Sequence, residues 1–138
     1  MKQAEPVWIL ERTVLAAHDR LLAAHGGAAG VRDVGLLESA LARPHQHYAY
    51  GSPDLIELAA LYTSGLVRNH PFIDGNKRTG FAIGIVFLEL NGFAFQANEE
   101  DATRAVLALA TGDLDETGYE AWLRSNVKRQ NGNQAGVT

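Results

Sequence analysis

Apolar positions recur at helical spacing along most of this chain. Val7, Leu10, Val14, Leu21 and Leu22 fall on one face of a first helix, which the Gly26-Gly27 pair should end. Asp33 is placed to cap a short second helix carrying Leu36, Leu37 and Leu41, and Pro44 should prevent its continuation. Residues 44–53 read as an exposed loop, with Pro44, Gly51 and Pro53 as breakers and Tyr48 and Tyr50 between them. Asp54 followed by Glu57 has the form of a capping box for a third helix bearing Leu55, Leu58, Leu61, Tyr62 and Leu66. That helix should end by Asn69, because Pro71 disfavours the α conformation at His70.

The same reading predicts a fourth helix from near Asn76 to Leu90, with Asn91-Gly92 as its stop. Phe81, Ile83, Ile85, Val86, Phe87, Leu88 and Leu90 make it apolar around most of its circumference, which suits the centre of a bundle. Gly80 and Gly84 weaken it by about 1 kcal/mol each against alanine, so a neighbouring helix should pack closely there. Phe93 to Ala97 alternates like a short strand. A fifth helix is expected around Ala105–Ala110, stopped by Gly112, and Thr117-x-x-Glu120 suggests a capping box for a last helix with Trp122. The expected fold is therefore all-α, a single compact bundle of about six helices around a central apolar helix. Residues 1–128 should form that domain, with a disordered tail over 129–138 rich in Gln, Asn and Gly.

Composition narrows the function classes. A chain of 138 residues can bury one core without disulfides, and it has no cysteine, so a thiol nucleophile and a Cys-based zinc site are excluded. The net charge of −4 does not suit a protein that coats nucleic acid. The amino terminus, Met1 to Pro6, lacks the basic flank and apolar stretch of a signal peptide. The longest apolar run, Phe81 to Leu90, is about half of the ~20 residues a membrane span needs, and it contains Glu89. A cytoplasmic protein with no direct nucleic-acid or membrane partner is expected.

The chemistry concentrates in His70-Pro71-Phe72-Ile73-Asp74-Gly75-Asn76-Lys77-Arg78-Thr79-Gly80. Gly75 lets the chain turn sharply and admits a ligand close to the backbone. The first turn of the following helix supplies free N–H groups and a positive dipole end, and Lys77 and Arg78 add cationic donors suited to a polyphosphate. A magnesium ion bridging Asp74 to phosphate oxygens would explain a carboxylate beside those cations. His70, held at a helix end by Pro71, is placed to act as general base on an incoming hydroxyl, with Phe72 and Ile73 anchoring the loop to the core. Two other readings stand beside this one. The segment could be a solvated helix–loop–helix turn, or His70 and Asp74 could be metal ligands in a hydrolase, although no second cluster at ligand spacing supports the latter. The spacing is not that of a P-loop.

His70-Pro-Phe-x-Asp-Gly-Asn-Lys-Arg-Thr resembles the signature of the Fic/Doc superfamily, in the form found in the Doc (death-on-curing) toxins. The similarity extends through Gly26-Gly27-x-x-Gly30-x-x-Asp33-x-Gly35-x-x-Glu38-Ser39-Ala40 upstream. Downstream it takes in Phe87-Leu88-x-Leu90-Asn91-Gly92 and Ala110-Thr111-Gly112, covering roughly residues 9 to 126. The resemblance implies a catalytic set of His70, Asp74, Asn76, Lys77 and Arg78. It implies nucleotide or phosphate binding by Gly75, Asn76, Lys77, Arg78 and Thr79, with Asp74 holding magnesium. Fic enzymes typically transfer AMP from ATP, with a glycine after the motif Asn and a second arginine three residues after the first. Here Lys77 and Phe81 stand at those positions, as in the Doc branch, in which the nucleotide is thought to bind reversed so that the γ-phosphate meets the hydroxyl.

The implied function is an ATP- and magnesium-dependent kinase toxin that phosphorylates a threonine of translation elongation factor Tu and arrests translation. AMP transfer onto a protein hydroxyl is the alternative reaction, and an idle antitoxin-binding module is the alternative from another class. Arg43 to Pro53 corresponds to the flap that holds the target backbone in Fic proteins, where Tyr48 and Tyr50 would contact substrate or else cover the apolar edge of the bundle. No inhibitory Ser/Thr-x-x-x-Glu-Gly/Asn helix is found, which implies a Phd-type antitoxin acting in trans. His18 and His25 read as structural or surface groups. Glu99-Glu100-Asp101 reads as helix-start charge, with the alternative of receiving a basic antitoxin segment.

Overall fold

The computed structural model describes residues 5–130. Over that range the helices are α1 (Glu11–His25), α2 (Val34–Tyr50), α3 (Leu55–Asn69), α4 (Asn76–Leu90), α5 (Glu99–Thr111) and α6 (Glu116–Ser125). Strands β1 (Phe93–Phe95) and β2 (Val127–Arg129) pair antiparallel, with Phe95 opposite Val127 and Phe93 opposite Arg129. The all-α bundle expected from the apolar patterning is the observed architecture. Arg129, assigned above to a tail, is the last residue of the ribbon and lies over the Phe93 ring at 4.8 Å. Gln130, also assigned to that tail, donates its N–H to the Gly92 carbonyl at 2.8 Å, and residues 131–138 lie outside the described residues.

At the centre, α3 and α4 pack face to face, and α3 also contacts α2, α5 and α6. Eleven of the fifteen residues of α3 are buried against seven of fifteen in α4, so α3 is the more enclosed of the central pair. The two helix glycines of α4 explain their close approach. A β-carbon on Gly80 would come within 2.9 Å of Val67 Cγ2, and one on Gly84 would collide with Thr63 Oγ1. Thr63 Oγ1 instead donates to the Gly80 carbonyl at 2.8 Å. The absence of side chains therefore lets the backbones meet, as in other small-residue helix contacts.

Caps set the helix starts. Asp33 accepts from Leu36 N–H at 2.9 Å and Asp54 from Glu57 N–H at 2.9 Å, as the patterning predicts. Two starts differ from expectation. Asn98 accepts from Asp101 N–H at 2.8 Å, so α5 begins at Glu99 with three acids in its first turn, several residues before Ala105. Asp115, not Thr117, caps α6 by accepting from Gly118 N–H at 2.7 Å. Thr117 already lies inside the helix, where it cannot act as an N-cap.

Three further expectations are corrected. Pro44 does not end α2, which continues to Tyr50. Packing on both sides of the proline outweighs its missing N–H: Arg43 forks onto Glu116, and Trp8 stacks on His45 at 4.0 Å and meets Tyr48 edge-on at 5.4 Å. Val7 and Leu10 are about half exposed, because α1 starts only at Glu11 and the preceding residues form an extended strap. Asn91 holds that strap, accepting from Val7 N–H at 2.8 Å and donating to its carbonyl at 3.0 Å. The buried stripe of this region is Ile9, Val14 and His18. Finally, Phe72 is fully buried as an anchor but Ile73 is half exposed.

Candidate active site

The loop between α3 and α4 is shaped by its own residues first. Asn69 ends α3 and His70 follows in the left-handed conformation, φ 54° and ψ 53°, the one non-glycine with positive φ among the described residues. A residue with a β-carbon is disfavoured there by about 1–2 kcal/mol, so the surroundings must hold it. Gly75 turns the chain again at φ 81° and caps α4. Between these turns the Asn76 amide embraces Phe72, accepting its N–H and donating to its carbonyl, each at 2.9 Å.

Two neighbouring segments brace the loop. From α1, the buried His18 ring stacks on Phe72 at 3.7 Å, and its Nε2–H donates to the Asp74 carbonyl at 2.8 Å. From the stretch between α1 and α2, Arg32 N–H and Asp33 N–H both donate to the Pro71 carbonyl, at 2.7 and 3.0 Å. Ile73 N–H donates to the Gly30 carbonyl at 3.0 Å, and Val31 forms an antiparallel bridge with Phe72. The Arg32 side chain reaches the carbonyls of His70 and Asn69. Gly27 is needed at this junction: it has φ 124°, and a β-carbon there would come within 3.0 Å of Asp74 Oδ2. Asp74 itself accepts from Gly75 N–H through Oδ1 at 2.9 Å and from Ala28 N–H through Oδ2 at 3.3 Å.

A cleft of about 660 Å³ opens beside this loop, within the range of small-molecule sites. One wall is polar and consists of Asp74, Gly75, Asn76, Lys77 and Arg78. A second, apolar part of the lining holds Phe81, one turn further along α4, with Phe95 and Val106, and the start of α5 adds Asn98 and Glu99. Lys77 and Arg78 are exposed, and neither forms an ion pair among the described residues. Their charge adds to the free N–H groups in the first turn of α4, so this wall is suited to an anion. Phe81 meets Phe95 edge-on at 5.5 Å, Phe95 meets Trp122 at 5.7 Å, and Trp122 meets Tyr119 at 5.6 Å. That aromatic row ties the apolar wall to α6.

The structure thus gathers Asp74, Gly75, Asn76, Lys77 and Arg78 on one surface. His70 is not part of the lining; it stands exposed at the end of α3. Thr79 is also absent from the lining, fully buried with its hydroxyl unpartnered among the described residues. His25 lines the cleft, at the last turn of α1. The flap expected over Arg43–Pro53 is helical as far as Tyr50, and it lies far from the loop. Asp33, at the start of α2, is bonded to Pro71, and seventeen residues of helix carry Tyr50 roughly 25 Å away. Tyr48 packs on Trp8 and Tyr50 is almost fully exposed. The segment lying beside the motif is instead 27–33.

An acidic group of Asp54, Glu57 and Glu120 lies at the opposite end of α3 and is engaged by a cation. Arg124 bonds Asp54 at 2.8 Å and Glu120 at 2.6 Å. Burial alone would raise the Asp54 carboxyl, but the Arg124 and Glu57 N–H hydrogen bonds outweigh it and hold it below its ordinary value. Burial and the charges of Glu120 and Asp54 push Glu57 up.

His18, read from the sequence as a structural or surface group, is buried and braces the loop, and His25, read in the same way, is exposed and lines the cleft. Arg32 was missed by sequence reasoning. Nothing in the spacing marks Arg32.

Comparison with known proteins identifies the family. The model of the Fic/DOC family matches residues 8–88. The chain is 44% identical over 98 residues to Toxin Doc of Mycolicibacterium smegmatis (strain ATCC 700084 / mc(2)155), covering 67% of this chain and 74% of that protein. It is 34% identical over 112 residues to Protein kinase doc of Escherichia phage P1, covering 80% of this chain and 88% of that one. With more than half of its length matched by the family model, the chain belongs to the Fic/DOC family, in its Doc branch.

Proposed function

We propose that this protein is a Doc-type toxin that transfers the γ-phosphoryl group of ATP to a threonine hydroxyl of elongation factor Tu. The observation that carries the reading is the division of the cleft walls. Lys77 and Arg78 offer cationic donors that form no ion pair among the described residues, whereas Phe81 is turned into the aromatic row with Phe95. Phe81 stands where AMP-transferring Fic enzymes carry a second arginine, so an anion clamp is missing at that point and the orientation used for AMP transfer loses support. The name of the phage P1 relative, a protein kinase, supports the same direction.

Each residue has a defined task in this reaction. His70 takes the proton of the threonine hydroxyl, and its exposure suits a base that must meet a macromolecular substrate. The hydroxyl oxygen forms a bond to the γ-phosphorus, the bond from that phosphorus to the β,γ-bridging oxygen breaks, and ADP leaves. Lys77, Arg78 and the first N–H groups of α4 hold the phosphate charge. Asn76 holds the loop through Phe72. Asp74 fits a magnesium site: its carboxylate is exposed, and each oxygen keeps lone-pair capacity beyond its single backbone hydrogen bond. Bound magnesium would neutralise phosphate charge. Thr79, buried in the α3–α4 packing, acts on the phosphate wall only as part of the helix.

The 27–33 segment takes the part of the flap, since Val31 already pairs with Phe72 as a strand would. The site acts in the cytoplasm and is held off by a Phd-type antitoxin in trans. Incubation with elongation factor Tu and ATP labelled at either the α or the γ position tests the reaction. Label from the γ position is expected on the factor; label from the α position would overturn the kinase reading in favour of AMP transfer. Asp74→Ala should abolish transfer with little change in melting temperature, and full activity in that variant would remove the metal assignment.

A further inference from the structure

Three consecutive carbonyls at the end of α3 and the start of the loop, those of Asn69, His70 and Pro71, all accept from one residue. Arg32 donates Nη2–H to the Asn69 carbonyl at 3.0 Å, Nε–H to the His70 carbonyl at 2.7 Å, and its backbone N–H to the Pro71 carbonyl at 2.7 Å. The first two carbonyls would otherwise be left without intrahelical partners by the ending of α3. The guanidinium also places positive charge at the negative end of that helix. The residue it grips, His70, is the one non-glycine in the left-handed region among the described residues. Arg32 is exposed and has no carboxylate partner among the described residues, so its side chain serves neither core packing nor an ion pair.

We propose that Arg32 is a positioning residue for His70: its fork fixes the left-handed backbone of His70 and so the direction in which the imidazole meets the incoming hydroxyl. This rests on the reading of His70 as the base. A planar fork is required, because two adjacent carbonyls must be reached from fixed donor positions; a lysine offers a single mobile charge. Loss of the fork leaves the fold braced. Arg32 N–H and Asp33 N–H still donate to the Pro71 carbonyl, Ile73 N–H to Gly30, and Asn69 Nδ2–H to the Leu36 carbonyl at 2.9 Å. What loosens is the orientation of one catalytic group, and misplacement on the ångström scale lowers turnover without weakening the nucleotide cleft.

The test uses the full chain with elongation factor Tu and γ-labelled ATP, comparing wild type, Arg32→Ala, Arg32→Lys and His70→Ala. Arg32→Ala is expected to lower kcat by about tenfold or more and Arg32→Lys by less, with the KM for ATP within about twofold of wild type. Melting temperatures should stay close to wild type. A wild-type kcat in either folded Arg32 variant, or a loss confined to KM, overturns the proposal, and so does failure of both variants to fold. If wild type transfers no label, or His70→Ala keeps the full rate, the failure belongs to the reading of His70 and the reaction. If His70→Ala is dead and Arg32→Ala is unchanged, the positioning role alone is lost.

Discussion

Asn76 and Phe72 are joined by a ring of two hydrogen bonds, each 2.9 Å, in which a side-chain amide satisfies both backbone groups of a residue four positions earlier. Both residues are buried, so no solvent stands ready to replace the amide. Asn76→Ala leaves a buried N–H and a buried carbonyl without partners, and a loss of about 2–4 kcal/mol in unfolding free energy is expected. Asn76→Asp keeps the acceptor for the N–H but sets an oxygen against the Phe72 carbonyl, so it should also destabilise. Chemical denaturation of both variants checks this; an unaltered midpoint in Asn76→Ala would contradict the bracing role.

His18 supports the same loop from another helix, and the two parts of its role can be separated. His18→Phe preserves an aromatic ring against Phe72 but removes the donor to the Asp74 carbonyl. It should cost about 1–3 kcal/mol and reduce Mg·ATP binding measured by calorimetric titration. His18→Gln places an N–H at comparable reach and should restore most of that binding. Equal behaviour of the two variants would assign the role of His18 to packing alone.

Gly84 marks the tightest approach of α3 and α4. Gly84→Ala drives a methyl into Thr63 Oγ1 and to 3.1 Å from the Ala59 carbonyl, and a destabilisation of about 1–3 kcal/mol is expected. Adding Thr63→Ala removes the first clash and should recover part of the loss. Urea midpoints for the single and double variants measure the coupling.

Asp54 gives stability a pH dependence of known sign. Its folded carboxyl lies below the unfolded value of 3.8, because hydrogen bonds from Arg124 and Glu57 N–H outweigh burial, which alone would raise it. The stabilisation it contributes is therefore present above the unfolded value and is lost as pH falls through the folded one. Glu57 acts in the opposite sense: burial and its acidic neighbours raise it, so its contribution is lost as pH rises past 4.5. The Asp54 side chain is half exposed, which limits its share to less than about 1 kcal/mol. Asp54→Asn retains a capping oxygen but not the charge. The difference in melting temperature between wild type and this variant should shrink on going from about pH 6 to about pH 3. A constant difference would show that Asp54 acts only as a cap.

Local rules made some of these elements legible and left others hidden. The end of α3 at Asn69 follows from Pro71, and the start of α4 at Asn76 follows from Gly75; in both cases a neighbour in sequence dictates the backbone. The same kind of rule failed at Pro44, where contacts from Trp8 and Glu116, distant in sequence, keep the helix intact. That failure also affected the expected flap segment, because residues 44–50, taken for a loop, are helix leading away from the motif loop. The motif residues drew attention through their concentration in one short segment, and the structure gathers Asp74 to Arg78 along one side of the cleft. Arg32 could not stand out in this way, since its partners are carbonyl groups, which every residue possesses and no sequence pattern displays.

The β1–β2 ribbon has a consequence in time. Phe95, part of the apolar wall of the cleft, pairs with Val127, more than thirty positions later, while every residue of the polar wall has been added by Arg78. During synthesis the Asp74–Arg78 turn is made long before Val127, the partner of Phe95, has left the ribosome. The apolar side of the cleft therefore gains the strand that pairs with Phe95 only in the last part of synthesis of the described residues, long after Asp74 to Arg78 have been added.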